Sequence, residues 1–173
     1  IISRTLDEIG EVTVNDISAG EDDPQMLPLV GRLGLTYVAM HKRGTPQTMQ
    51  SMTDYEDVTA AVTDYFSDFA ERAEQAGVRD WILDPGFGFA KTLEQNYQLM
   101  HGLSRFKALF PSRKLLVGVS RKSMVYRLLG ITPEESLPAT QVLHLHALQN
   151  GADILRVYDV EQDVQTASLY RML

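Results

Sequence analysis

The amino-acid sequence predicts an α/β fold in which parallel strands alternate with helices, and two observations lead to this prediction. Short runs rich in β-branched and apolar residues recur along the chain, and each is followed by a polar turn and then a segment with helical spacing. The chain between one run and the next is long enough for the crossover helix that parallel neighbours require. Five such runs are present, and they end near residues 16, 40, 84, 119 and 157.

Composition indicates one globular domain over residues 1–173, because 44% of the chain is hydrophobic and only 23% is charged. The net charge of -7 and the absence of a basic run argue against a nucleic-acid partner. Without cysteine, disulfide frameworks and thiolate metal sites are excluded. Neither a signal peptide nor a membrane-spanning apolar run is recognisable, so we expect a cytoplasmic protein without a membrane partner.

The first segment, residues 1–10, reads as the tail of a helix closed by Gly10, which suggests that further chain belongs before it. Residues 11–17 are strand-like. The acidic residues and proline of Glu21 to Pro24 suit the first turn of a helix, where the helix dipole favours negative charge. That helix is expected to end near Leu33.

A second strand, residues 35–40, empties into a long polar loop that extends from His41 to Gln50. Lys42 and Arg43 in this loop have two interpretations, a phosphate clamp or a pair of solvated charges. Apolar residues at three-and-four spacing then predict a helix over residues 55–76.

The third strand, residues 81–84, runs into a loop rich in Gly and Pro, a pattern typical of a ligand site. Asp84 would stand at the mouth of the sheet, with Phe87 and Phe89 offering faces for stacking. The alternative is that Asp84 caps the next helix. One helix is predicted from Leu93 to about Leu109.

The fourth strand, residues 115–119, has a continuous apolar run and ends at the sequence Ser120-Arg121-Lys122-Ser123. The stretch from Thr132 to Glu135 contains a capping box, so another helix begins there and continues to residue 151. Residues 153–157 form the fifth strand, and a last helix completes the chain.

All five strands are followed by polar groups able to bind or catalyse, namely Asn15, His41, Asp84, Lys122 and Arg156. In a (β/α)₈ TIM barrel the active site lies at these carboxyl ends. An open dinucleotide-binding sheet is disfavoured because no glycine-rich turn follows the first strand. A full barrel has about 250 residues. We therefore expect about five of its eight βα units here, with the N-terminal units missing.

The histidines give weaker signals. His144 and His146 lie two residues apart in a predicted helix, so they point to different faces and are expected to be structural. His41 follows a strand end, where a structural hydrogen-bonding role and a functional role both stay open.

Four motifs together resemble the dihydropteroate synthase family, in order and over the whole chain. They are Met40-His41 followed by residues 43–50, Asp84-Pro85-Gly86-Phe87-Gly88-Phe89 with Lys91-Thr92, Val119-Ser120-Arg121-Lys122-Ser123, and Ile154-Leu155-Arg156-Val157. The resemblance implies a transferase of folate biosynthesis, a target of sulfonamides, that is a homodimer and uses Mg²⁺. It would condense 6-hydroxymethyl-7,8-dihydropterin diphosphate with p-aminobenzoate to give 7,8-dihydropteroate and diphosphate.

The resemblance also implies the site residues. Its pterin-binding positions are Asn15, Ile17, Met40, Asp84, Gly88, Leu116, Gly118 and Lys122. Its aminobenzoate positions are Phe89, Ser120 and Lys122, and its diphosphate positions are Arg156 and Tyr158. Catalysis would rest on Asp84, Lys122 and Arg156. No metal ligand is assigned, because the family's usual Mg²⁺ ligand lies on a strand that this sequence does not contain.

Tyr158 is a departure, since the family carries a histidine there and a phenol has no cationic form. Two alternatives therefore accompany the synthase interpretation. One is a pterin-binding domain of the methyltransferase type, which shares the barrel and the pterin slot. The other is a non-catalytic remnant that binds pterin or a partner protein.

Overall fold

The computed structural model describes residues 1–45 and 47–173, with Gln50 described by its backbone alone. Five parallel strands form one sheet in sequential order, and neighbours in the sheet are neighbours in the chain. The strands are β1 Thr13–Asp16, β2 Thr36–Met40, β3 Trp81–Asp84, β4 Lys114–Val117 and β5 Ile154–Leu155. Doubly wound sheets reverse their strand order, whereas barrels keep it sequential. The predicted α/β fold is confirmed as part of a (β/α)₈ barrel.

Helices cover one face of the sheet, because right-handed crossovers between sequential strands all pass on the same side. They are α1 Ile2–Ile9, α2 Met26–Leu33, α3 Val58–Gln75, α4 Leu93–His101, α5 Leu103–Leu109, α6 Ser123–Leu129, α7 Leu137–Gln149 and α8 Val160–Tyr170, with short 3₁₀ turns at Met49–Ser51 and Glu134–Ser136. In the part of the chain that is described, none of them is both long and apolar enough to cross a membrane.

The main core lies between the sheet and these helices. The apolar stripe predicted for α3 is buried, and its Phe66 and Phe69 pack against Trp81 of β3. Each such side chain contributes about 1.5–3 kcal/mol by leaving water. A second, smaller cluster on the opposite face contains Val38, Ile82 and Leu116. This inner face is the one that a barrel encloses.

The prediction that Glu21, Asp22 and Asp23 form the first turn of a helix is wrong, because α2 begins only at Met26. Each acid has a partner that holds the preceding loop instead. Asp22 accepts a hydrogen bond of 2.7 Å from the Lys42 ammonium, and Asp23 accepts one of 2.9 Å from the N–H of residue 25.

Two further helix predictions need correction. The single helix over residues 93–109 is two helices, separated at Gly102, where an added Cβ would lie 2.7 Å from the Thr59 hydroxyl of α3. Helix α6 was not predicted at all, although Gly130, in the left-handed conformation with φ +65, closes it in the usual manner. The capping box between Thr132 and Glu135 is confirmed by its two reciprocal hydrogen bonds, but it precedes the 3₁₀ turn at Glu134–Ser136, and α7 begins only at Leu137.

Candidate functional site

Asp84, the last residue of β3, is the centre of the site. Its carboxylate is only 1% exposed, and Oδ1 accepts a hydrogen bond of 2.9 Å from the Gly86 N–H. Oδ2 lies 2.8 Å from Nη1 of Arg156, but no donor is aligned with it for a hydrogen bond. A buried carboxylate oxygen without an aligned donor is unfavourable, so this oxygen is suited to receive a ligand's donor.

Arg156 crosses the mouth of the sheet from β5 towards β1. Its Nη1 also donates to Oδ1 of Asn15 at 3.4 Å. The guanidinium lies directly on Gly118, where an added Cβ would be 2.8 Å from Nη2. The structure thus brings together four predicted residues from four different strand ends, Asn15, Asp84, Gly118 and Arg156.

Lys122 enters the site from the start of α6. Its ammonium donates to the carbonyl oxygen of Phe87 and lies 5.0 Å from the centroid of the Phe89 ring. Its aliphatic stem passes Gly88, where an added Cβ would be 3.5 Å from the Lys122 Cδ. Burial lowers the pKa of Lys122 to about 8; the Asp84 carboxylate opposes this change and Arg156 adds to it.

The loop after Asp84 approaches β2 very closely. An added Cβ at Gly86, which has φ +70, would lie 2.0 Å from the carbonyl oxygen of His41. Phe87 is fully buried in the main core, so the prediction that it offers a face for stacking is wrong. Phe89 is partly exposed, as stacking on a ligand requires.

The alternative role for Asp84, that it caps the next helix, is also wrong. Helix α4 is capped by Thr92, whose hydroxyl accepts from the Gln95 N–H while the Gln95 side chain accepts from the Thr92 N–H. Asp84 is therefore free for the site.

Lys91 was missed as a site residue by the sequence analysis. Its ammonium is 4% exposed and makes three hydrogen bonds of 3.0 Å, to the carbonyl oxygens of Gly86 and Phe89 and to Nδ1 of His41. Burial lowers the pKa of Lys91 to about 7 and that of His41 to about 2. A lysine in an otherwise apolar, glycine-rich loop was the available signal.

The other predicted residues differ in placement. Met40 of β2 and Leu116 of β4 are buried, at 2% and 6% exposed. Ser120, which follows β4 in the chain, is buried as well. Ile17 and Tyr158 have exposed side chains. Among the described contacts, Tyr158 reaches the site only through its backbone N–H, which donates to the Ser120 hydroxyl at 3.3 Å. The structure does not bring its phenol to Arg156.

Arg121 points away from the site and joins two strand-end loops. Its guanidinium forms a two-pronged ion pair with Asp159, which raises the pKa of Arg121 and lowers that of Asp159. The residue has φ +51, a left-handed conformation that few side chains adopt. Of the two cations in the Ser120–Ser123 motif, only Lys122 faces the site.

Neither cation of the loop after β2 is simply solvated. Lys42 is buried against Asp22, and the Arg43 guanidinium stacks on the Tyr55 ring at 3.8 Å. Pro46 of the motif lies outside the described residues.

The structural role predicted for the α7 histidines is confirmed. His144 is fully buried and hydrogen-bonded through Nδ1 to Asp163 of α8, while His146 lies beside the His101 ring.

A magnesium ion does not fit the residues present. Within residues 1–45 and 47–173, no three His, Asp or Glu side chains converge closely enough to hold a metal ion. Asn15 has its carbonyl oxygen directed to Arg156, and Asp84 is flanked by cations. We therefore assign no chemical step to a metal.

Comparison with known proteins identifies the relatives of this site. Residues 1–158 match the family described as pterin binding enzyme. Dihydropteroate synthase of Escherichia coli K12 is 39% identical over 166 residues, and that of a Synechocystis species is 41% identical over 168. Each match covers 95% of this chain, which spans 58% and 57% of those relatives.

Solved structures give the same result. The Yersinia pestis dihydropteroate synthase in complex with a sulfonamide drug superposes with a TM-score of 0.90 at 34% identity, covering 96% of this chain and 60% of that one. The Thermus thermophilus enzyme in complex with 4-aminobenzoate superposes with a TM-score of 0.91 at 34% identity, covering 99% and 70%. The resemblance seen in the motifs is thereby confirmed, and this chain belongs to the pterin binding enzyme family.

Proposed function

We propose that this chain carries the substrate sites of a dihydropteroate synthase. The reaction would condense 6-hydroxymethyl-7,8-dihydropterin diphosphate with p-aminobenzoate in folate biosynthesis. The observation that carries the proposal is the buried Asp84 carboxylate, with one oxygen lacking an aligned donor, at the carboxyl end of a barrel sheet. The relatives named dihydropteroate synthase support it.

Pterin recognition would begin at Asp84. The 2-amino group and the neighbouring ring N–H of a pterin are two parallel donors, and a carboxylate accepts such a pair in the geometry of a strong bidentate contact. Oδ1 already accepts from Gly86, but a carboxylate oxygen has a second lone pair. Asn15 would satisfy remaining ring groups and Lys122 would donate to the pterin oxo group. The proposed walls are Ile17, Met40, Gly88, Leu116 and Gly118.

Arg156 must leave Asp84 when the pterin binds, since both need the same carboxylate oxygen. This exchange is possible because the Arg156 side chain is 41% exposed and its guanidinium can return to water, while the pterin donors take its place beside the buried Asp84 carboxylate. The released guanidinium would then be free to bind the diphosphate of the same substrate. Arg156 would thereby contact Asp84 in the ligand-free site and bind the diphosphate leaving group when the pterin substrate is bound.

The second substrate would lie beside Gly88 and Phe89. A cavity of about 450 Å³ opens beside Gly88, and its lining includes Ser123 and Arg127. The Arg127 guanidinium and the Ser123 hydroxyl suit the carboxylate of p-aminobenzoate. We place the aminobenzoate ring against Phe89, Ser120 and Lys122, and propose that sulfonamides compete for the same position, as the drug complex of the Yersinia relative suggests.

The chemistry is a substitution at the pterin methylene carbon. The carbon–oxygen bond breaks, and the electron pair leaves with diphosphate. The amine lone pair of aminobenzoate then forms the carbon–nitrogen bond, and the nitrogen loses one proton. Positioned cations accelerate such a step by stabilising the departing anion. Arg156 and Lys122 are the groups proposed for this role. The Mg²⁺ that the resemblance implies would need ligands that the described residues do not supply, and the homodimer and the cytoplasmic location are proposals from the resemblance alone.

A second candidate is a pterin-binding protein without catalysis. The observation that favours it is the exposed Tyr158 side chain, 79% exposed, at the position proposed for leaving-group contact. A neutral phenol that faces solvent would not stabilise diphosphate.

One experiment separates the two candidates. The chain is mixed with dihydropterin diphosphate and p-aminobenzoate, product is followed by liquid chromatography with mass detection, and pterin binding is measured by calorimetry on the same sample. Formation of dihydropteroate supports the synthase. Pterin binding without product supports the second candidate, and absence of both binding and product contradicts the site assignment itself.

A further inference from the structure

We propose that Lys91 is a positioning residue that fixes the Gly86–Phe89 loop against β2 and thereby supports the binding of both proposed substrates. This inference rests on the proposed function, because the loop lines both proposed substrate sites. Lys91 itself lies behind the loop.

The hydrogen bonds of Lys91 hold both ends of this four-residue loop. An ammonium has three donors, and here all three are used, on the carbonyl oxygens of Gly86 and Phe89 and on Nδ1 of His41. Between the two carbonyls lie Phe87, whose own carbonyl receives the Lys122 ammonium, and Gly88. Lys91 therefore fixes the two carbonyls on either side of the Lys122 contact, and Asn96 adds a further attachment by accepting from the Gly88 N–H at 2.7 Å.

His41 supplies the fixed support on the other side. Its backbone N–H donates to the carbonyl of Asp84 at 3.0 Å, which extends the pairing of β2 with β3 by one residue. Its ring meets the Tyr65 ring edge-on, with centroids 4.9 Å apart. Because Nδ1 accepts from Lys91, the proton of the neutral ring lies on Nε2. The low pKa of His41, about 2, keeps the ring neutral and able to accept at physiological pH.

The charged groups that face the Lys91 ammonium act in opposite directions. Asp84 favours the protonated form, whereas Lys122 and Arg43 disfavour it, and burial is the largest influence against it. With a pKa of about 7, Lys91 loses its proton as pH rises through neutrality. The neutral amine has only two donors for three acceptors. Above that pH Lys91 loses one of the three hydrogen bonds through which it joins the loop to His41, and Asp84 loses a neighbouring positive charge.

The first test uses Lys91→Met, which keeps most of the side-chain volume and removes every donor. The matched control is Lys107→Met, because Lys107 also donates to a backbone carbonyl, that of Arg113, and lies near the starts of β4 and β5. We expect at least tenfold weaker binding of both pterin and p-aminobenzoate for Lys91→Met and less than threefold change for the control. Wild-type affinities for both ligands in Lys91→Met would overturn the inference.

The second test reads the loop directly and needs no ligand. Amide hydrogen exchange at Gly86, Gly88 and Phe89 is measured by NMR from pH 6 to 9, together with the titration of the Lys91 side-chain carbons. We expect loop exchange, corrected for its intrinsic pH dependence, to rise with the same midpoint as the lysine titration. Loop exchange that shows no change at the pH where Lys91 titrates would contradict the inference.

Variants at His41 keep the idea falsifiable if Lys91→Met does not fold. His41→Gln retains an acceptor for the ammonium and should preserve loop protection within threefold, whereas His41→Leu removes the acceptor and should raise exchange at least tenfold. Equal exchange in the two variants would refute the positioning role. If wild-type protein binds neither substrate but loop exchange still changes with the titration of Lys91, the proposed function is wrong and the positioning role of Lys91 is supported.

Discussion

Replacing Asp84 with asparagine tests the proposed pterin site most directly. Asn has nearly the same shape, and its amide oxygen can keep the hydrogen bond from the Gly86 N–H. The amide nitrogen would then occupy the position of Oδ2, the oxygen that lacks an aligned donor. A donor would thus replace an acceptor, opposite a pterin N–H that is itself a donor.

The expected loss follows from the structure. A hydrogen bond to a charged group contributes about 1.5–3 kcal/mol. A loss of about 1.5–3 kcal/mol corresponds to pterin binding that is roughly 10- to 150-fold weaker.

Isothermal calorimetry with a pterin is the assay, and Asp80→Asn is the matched control. Asp80 directly precedes the same strand at its opposite end, where its carboxylate accepts a hydrogen bond of 2.6 Å from the Thr36 hydroxyl. The control should bind pterin within twofold of wild type. If Asp84→Asn, shown by circular dichroism to be folded, also binds within threefold of wild type, the recognition model is incorrect.

The remaining predictions concern the arginine, a loop glycine and the site lysine. Arg156→Met should bind pterin without diphosphate more tightly, since the guanidinium no longer competes for Asp84, yet it should bind pterin diphosphate more weakly. Calorimetry with both ligands tests this, and changes in the same direction for both ligands would contradict the exchange of partners. Gly86→Ala should lower the free energy of unfolding by about 2–4 kcal/mol, because the strain at φ +70 adds to a contact of 2.0 Å between the new Cβ and a backbone oxygen. The control Gly10→Ala, at φ +82 with nothing within 4 Å of the new Cβ, should lower it by about 1–2 kcal/mol. Urea unfolding measures both, and equal losses would count against the close approach at Gly86. Lys122 has a folded pKa of about 8 against an ordinary 10.5, so the unfolded chain binds more protons between these pH values and the free energy of unfolding should rise with pH there. The rise should be smaller in Lys122→Met, and an unchanged slope would show that the lysine is not perturbed.

Local patterns in the sequence were sufficient for the fold class and for the strand ends at which the candidate site lies. Strand and helix periodicity depends on near neighbours, so the five strands and the position of Asp84 at the end of β3 were predicted correctly. The capping box at Thr132 is a contact between residues three apart, and it formed as expected. The same local reasoning failed for Glu21 and Asp22, because their partners, Arg72 and Lys42, lie far along the chain.

Only the tertiary structure decided which site groups touch one another. The sequence did not indicate that the Arg156 guanidinium lies on Gly118 and against Asp84, residues at the ends of other strands, because these contacts depend on the curvature of the sheet. Phe87 reads as a possible stacking face in sequence, yet the left-handed turns at Gly86 and Gly88 direct it into the core.

Lys91 was not predicted as a site residue, because its contacts also depend on the tertiary structure. Its three acceptors are two backbone carbonyls and a histidine 50 residues away, and no spacing rule reports backbone oxygens or distant partners. The sequence by itself therefore determines where the strands end and which polar residues follow them, because strand ends are indicated by periodicity and turn chemistry. The pairing of charges across the strand ends depends on the register of neighbouring strands, and only the tertiary structure determines that register.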